Sequence, residues 1–296
     1  MTERFDHLVT EAVRSELNDI DRASTEDVVR LMNEGDARVP AAVAATASSI
    51  AAAVDAVADR LARGGRLVYV GAGTAGRLGI LDAAECGPTF DTDRVVAVMA
   101  GGTQAFADAQ EGAEDDADAG AHDLERLGVG PDDAVVAISA SGRTPYVLGA
   151  AAHARARGAV VVGLACNEEA PLSSAVDIPI EVVVGPEFIA GSTRLKAATA
   201  QKLVLNMLST IAMVKVGKTF GNLMVDVRAT NEKLRARAVR IVAQAADAAP
   251  ADAEAALAAA DGDAKTAIVM LLSGLDARDA RERLEACGRD LRRALT

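Results

Sequence analysis

Short Val-rich runs alternating with helix-length segments predict an α/β fold. The expected architecture is a doubly wound parallel sheet of about five strands, with N-terminal helices and a small C-terminal helical domain. Three observations carry this. The runs RLVYV (66–70), RVVAVMA (94–100), DAVVAISA (133–140) and AVVVGLAC (159–166) are almost continuously apolar, as strands covered on both faces must be. The segments between them are long enough for crossover helices and often meet the strands at Gly or Pro. A Gly-rich turn, GAGTAGRLG, follows the first run directly, where α/β sheets bind their ligands.

Taken in order, residues 1 to about 60 read as helices. Ser24-Thr25 ahead of Glu26 is a helix start, and a second helix runs from Pro40 to the Gly64-Gly65 stop. DIPIEVVVG (177–185) is a weaker fifth strand. From Ser192, STRLKAATAQKLVLNMLSTIAMVKVG reads as one long apolar helix, buried or dimer-forming. The Ala-rich C-terminal residues, broken at Ala249-Pro250 and Asp261-Gly262-Asp263, read as a three-helix appendage. The expected domains are residues 1–55, 56–222 and 223–296.

Composition excludes several functions. A formal net charge of −12 and a pI near 4.8 argue against nucleic-acid and anionic-membrane partners. The three cysteines lack CxxC spacing, so neither a disulfide framework nor a metal site is expected. The N-terminus carries acids without an apolar core, and no uninterrupted apolar run approaches the ~18 residues of a membrane span. The cytoplasm is the expected location.

The turn Gly71-Ala-Gly73-Thr74-Ala-Gly76 spells GxGxxG, which raises a dinucleotide. Such folds also place an acid at the end of the second strand, about 20 residues on, to hold the ribose. Here that strand ends in Ala100-Gly101-Gly102, and Asp91 and Asp93 precede it, so no cofactor is expected. Thr74 and Arg77 suit a phosphate instead. The third strand ends in Ser139-Ala-Ser141-Gly-Arg-Thr144, whose hydroxyls and free N–H groups can cradle a phosphate monoester; the bland alternative is a Ser/Thr-rich helix cap.

Two groups of acids are candidates for proton transfer. Glu85, before Gly87-Pro88, is expected at a helix C-terminus, where the negative end of the helix dipole suits a proton-donating carboxyl. Glu111, Glu114, Asp115 and Asp116 crowd one segment, and spacing alone does not choose among them; acidic runs are mostly solvated faces. His7, His122 and His153 have no partner at catalytic spacing, and Cys86 has no neighbouring His.

The motifs GAGTAGRLGILDAAECGPTF, EGAED, SASGRTPY, GSTRLKAATAQKLVLNMLST and GKTFGNLMVDVRATNEKLRARAVRI together resemble the N-acetylmuramic acid 6-phosphate etherases, built on the sugar isomerase (SIS) phosphosugar-binding domain. The match runs from about residue 18 through the C-terminal helices. The resemblance implies cleavage of the D-lactyl ether of the sugar phosphate, giving N-acetylglucosamine 6-phosphate and D-lactate, without cofactor or metal. It implies Glu85 and Glu114 as the catalytic pair. Substrate binding then falls to Gly73, Thr74, Ser139, Ser141 and Thr144, with Ser192 and Arg194 from GSTRLK. It also implies a homodimer. Ala75 and Gly87 stand where many relatives have Ser and Pro, and neither is the expected acid or base. A sugar-phosphate isomerase and a non-catalytic sugar-phosphate sensor, of the kind represented by the glucokinase regulatory protein, remain alternatives of the same class.

Overall fold

A sheet buried on both faces has no use for alternating polarity, and the computed structural model places the continuous apolar runs in such a sheet. It describes residues 8–108, 110–226 and 232–296, so the reading of His7 and residues 227–231 of the last motif lie outside the described residues.

After short 3-10 turns come helices α1 (Thr25–Asp36), α2 (Val39–Ala45) and α3 (Ala47–Ala62). Ser24 caps α1, its hydroxyl oxygen accepting the Asp27 N–H at 3.1 Å. The single helix expected from Pro40 onward breaks at Thr46. The Thr46 hydroxyl donates to the Val43 carbonyl at 2.9 Å, a local bond that competes with helix continuation.

The central elements follow as β1 (Leu67–Gly71), α4 (Gly73–Phe90), β2 (Val95–Met99), α5 (Gln104–Ala107), α6 (Ala117–Arg126), β3 (Ala134–Ile138) and α7 (Pro145–Ala156). Then come β4 (Val160–Ala165), α8 (Pro171–Ala175), β5 (Ile178–Glu181) and α9 (Lys196–Lys215). All five strands are parallel, in the order β2-β1-β3-β4-β5. Every residue of β1 and β3 is buried. The order reverses between these two strands, because the chain leaves β1 toward one edge and returns on the other side as β3. Loops leaving adjacent carboxyl ends at such a point diverge and open a crevice. Gly71 pairs with Ile138, so the two loops start side by side.

The Gly-rich turn is partly a packing device. A Cβ on Gly76 would lie 2.7 Å from the Met99 Cβ and 2.8 Å from the Gly71 carbonyl oxygen, so only glycine lets α4 sit this close to β1 and β2. Asp82, buried on the same helix, accepts from the Tyr69 hydroxyl at 2.7 Å and the Asn206 amide at 2.6 Å, tying α4 to β1 and α9. The α9 window has a mean hydropathy of 1.2, enough by length and composition to span a membrane. Yet 56% of that window is buried within the protein, and Ala200, Val204 and Leu208 are in its core, as in the central helix of a globular domain.

The chain divides into two compact units: residues up to Ala83 with Arg94–Ser209, and Ala84–Asp93 with Thr210–Thr296. The first contains the five-stranded sheet. The second adds an antiparallel pair, β6 (Thr219–Phe220) and β7 (Leu223–Met224), to α10 (Glu232–Ala246), α11 (Pro250–Ala259), α12 (Ala264–Ser273), α13 (Ala277–Ala286) and α14 (Leu291–Leu295). Among the described residues, five helices replace the expected three. Gly274, at φ 68°, closes α12, and the carboxylates of Asp276 and Asp290 cap α13 and α14. The buried Lys265 ammonium donates to the Asp226 carboxylate (2.7 Å) and to the carbonyls of Gly217 (2.8 Å) and Arg289 (2.9 Å). Burial pushes this amine below its ordinary range and Asp226 opposes that; with three acceptors it is a structural tie.

Gly76→Ala should destabilise the protein by about 1–3 kcal/mol through overpacking, measured by chemical denaturation. Wild-type stability would show that α4 does not depend on this approach.

Candidate active site

The loop after β3 folds onto its own hydroxyls. Ser139, 3% exposed, is the hub: its Oγ lies 2.8 Å from Thr144 Oγ1 and 3.3 Å from Ser141 Oγ, and it accepts the Gly142 N–H at 3.0 Å. Ser141 Oγ accepts the Arg143 N–H at 3.2 Å. Thr144 precedes α7, whose first residue is Pro145, so the hydroxyls gather at the positive end of a 12-residue helix. Gly142 takes φ 66°, and a Cβ there would lie 2.4 Å from that of Ala170, so the turn requires glycine. Two of the loop's carbonyls are occupied away from the cavity: Ala140 accepts from Cys166 N (2.9 Å) and Asn167 Nδ2 (3.0 Å), and Gly142 from Leu172 N (3.0 Å). Ser139, Ser141 and Thr144, with their hydroxyls, are left to line the space in front of the loop.

This loop lines a cavity of about 540 Å³. Across from it stand Gly73 and Thr74, the first turn of α4, which adds a second helix N-terminus. Arg143 contributes a guanidinium within a strongly acidic chain. Arg77 does not face this cavity. Its guanidinium donates to the carbonyls of Phe106 (2.9 Å) and Ala105 (2.7 Å), pinning the segment that leads to the acidic run.

The acids, equivalent by spacing, separate in space. Gly112 in the left-handed region (φ 77°) turns the chain into a 3-10 turn at Ala113–Asp115. Asp116 caps α6, accepting the Ala119 N–H at 2.9 Å. Glu114 and Asp115 line the cavity with the serine loop, and Glu114 also borders an adjoining recess of about 220 Å³ that includes Glu111.

Glu85 is exposed and does not line the cavity. The helix continues through Pro88 to Phe90, so Glu85 is not at its C-terminus and the expected dipole argument does not hold there. From GSTRLK, the cavity takes Gly191 and Thr193 rather than Ser192 and Arg194; Arg194 is exposed. The segment is held in place from both sides. Gly191 N donates to the Thr10 carbonyl at 3.1 Å, and the buried Glu187 carboxylate accepts the Lys196 and Ala197 N–H groups at 2.9 Å each, capping α9. Leu8, Glu11 and Gln201 complete the wall and were not expected. The first two lie far from any motif, and Gln201 reads in sequence as one more position of an apolar helix.

Residues 49–155 match the N-terminal SIS domain of the glucokinase regulatory protein. The chain is 61% identical over 290 residues to an N-acetylmuramic acid 6-phosphate etherase of Streptomyces avermitilis, covering 97% of this chain and 93% of that one. It is 62% identical over 288 residues to the protein of that name from Rubrobacter xylanophilus, covering 97% and 96%. Among solved structures, a phosphoheptose isomerase from Francisella tularensis shares the fold, with a TM-score of 0.53, 20% identity, and coverage of 65% of this chain and 100% of that one.

Ser139→Ala removes the hub of the hydroxyl cluster. It should weaken binding of a phosphate-bearing probe such as glucose 6-phosphate about tenfold, read by isothermal titration calorimetry; unchanged affinity would remove the loop from the site.

Proposed function

Because the chain belongs to the N-acetylmuramic acid 6-phosphate etherase family, we propose that it cleaves the D-lactyl ether of N-acetylmuramic acid 6-phosphate to N-acetylglucosamine 6-phosphate and D-lactate. The observation that carries this reading is the sharing of one cavity by Glu114 and the Ser139–Ser141–Thr144 loop.

An ether oxygen at C3 is a poor leaving group, so the reaction needs prior activation at C2. Opening the sugar ring exposes an aldehyde at C1, which acidifies the C2 proton. Glu114 removes that proton, the C2–C3 double bond forms, and the C3–oxygen bond to lactate breaks. A carboxyl group, assigned to Glu85 by the motif DAAEC alone since Glu85 does not line this cavity, gives the departing oxygen its proton. Water then adds its hydroxyl at C3, a proton returns to C2, and the product is saturated again. Ser139, Ser141, Thr144, Gly73 and Thr74 grip the 6-phosphate; Ser192 and Arg194, assigned as substrate contacts by the GSTRLK motif alone, flank Thr193, which lines the cavity. Binding energy far from C2 and C3 thereby holds the open chain against the base.

The protein acts in this reading as a cytoplasmic homodimer. The support is a stripe on α9, where Met207, Ile211 and Val214 are 36%, 43% and 46% exposed at positions i, i+4 and i+7. Three large apolar side chains on one helical face suit a second copy of the chain. Ile211→Asp should shift the dimer to monomer in light scattering, and a monomeric wild type would reject the dimer.

In deuterated water, turnover should place one deuterium at C2 of the product, detected by mass spectrometry. Lactate release without that label would exclude the elimination route. Glu114→Gln should lower C2 exchange and lactate release together by about 10²–10⁴-fold, and full turnover by this variant would reject Glu114 as the base.

A further inference from the structure

Polar side chains buried in a folded protein are nearly all hydrogen-bonded, so an exception lining a cavity points to a ligand. Gln201 on α9 is 1% exposed, and its Nε2 has no hydrogen-bond partner among the described residues. It lines the same cavity as Ser139 and Glu114. Other interior amides are used by the fold: Asn167 donates to Ala140 O (3.0 Å) and Thr10 Oγ1 (3.2 Å), and Asn206 to Asp82 (2.6 Å). The Glu187 cap fixes the start of α9 one turn earlier, so Gln201 is presented on a rigid element.

The chemistry of the substrate narrows what this amide meets. Phosphate and carboxylate offer acceptors only and are matched by charged or helix-terminal donors, which the serine loop and Arg143 already supply. An acetamido group is planar, with one donor and one acceptor, and it complements a second carboxamide on both. Leu8, 4% exposed, gives the same cavity an apolar wall suited to an acetyl methyl. Resting on the reaction proposed above, we infer that Gln201 is a specificity-determining residue that recognises the 2-acetamido group of the sugar. Its Nε2 donates to the acetyl carbonyl, and its Oε1 accepts from the sugar N–H.

Gln201→Leu tests this at similar side-chain volume. Titration calorimetry compares N-acetylglucosamine 6-phosphate with glucose 6-phosphate, which carries a hydroxyl at C2. The variant should bind the acetylated sugar about 10–100-fold more weakly, with glucose 6-phosphate unchanged. Its ligand-free melting temperature should equal or exceed that of the wild type, because no native hydrogen bond is lost. Equal weakening toward both sugars, or no weakening, would overturn the assignment, and so would a lowered melting temperature with selectivity intact. The titration does not depend on turnover. A wild type that binds selectively but releases no lactate therefore refutes the reaction and leaves Gln201 standing, whereas an active but unselective protein refutes Gln201 alone.

Discussion

Everything at the candidate site depends on the reversal of strand order between β1 and β3. Parallel pairing requires each strand to be reached by a crossover, and the crossovers on either side of this point leave in opposite directions. The carboxyl ends of β1 and β3 are therefore neighbours, paired at Gly71 and Ile138, while their loops part above them. One loop begins α4 with Gly73 and Thr74, and the other leads through Ser139–Thr144 into α7. Two helix N-termini and a cluster of hydroxyls thus face one space. No single segment creates the site.

The same arrangement explains how a chain of net charge −12 can hold an anion. Hydroxyls at helix N-termini attract phosphate through short, directed bonds, and Arg143, which also lines the cavity, adds positive charge locally. Distant surface carboxylates are screened over about 8–10 Å at ordinary ionic strength. The nearby acids divide: Asp116 caps a helix, whereas Glu11, Glu114 and Asp115 line the cavity. A carboxylate in the same cavity as the hydroxyl cluster is what the proton abstraction proposed for Glu114 requires.

Much of the fold was legible because burial on both faces leaves a simple mark. The runs at 66–70 and 133–140 differ from β1 and β3 by no more than two residues at either end. Ser24 announced α1 through the chemistry of its hydroxyl. Thr46 hid a helix break, since a β-branched residue within an Ala-rich stretch carries no strong stop signal. Gly274, Asp276 and Asp290 are ordinary cap residues whose meaning appeared only once five short helices were seen instead of three. Glu85 looked terminal because Gly87-Pro88 usually ends a helix, yet α4 continues past them.

By itself, the sequence determined the α/β class, the phosphate-suited loop and, through motif resemblance, the family, because local hydrophobic period and turn chemistry act over a few residues. Tertiary structure decided strand order, that Glu114 and Asp115 of the 111–116 run line the cavity with the serine loop, and that Gly191, Thr193 and Gln201 line the same space. These depend on contacts between residues far apart in the chain. Burial is set by that packing, so a glutamine on an apolar helix becomes informative only when its unpaired amide is found against a cavity.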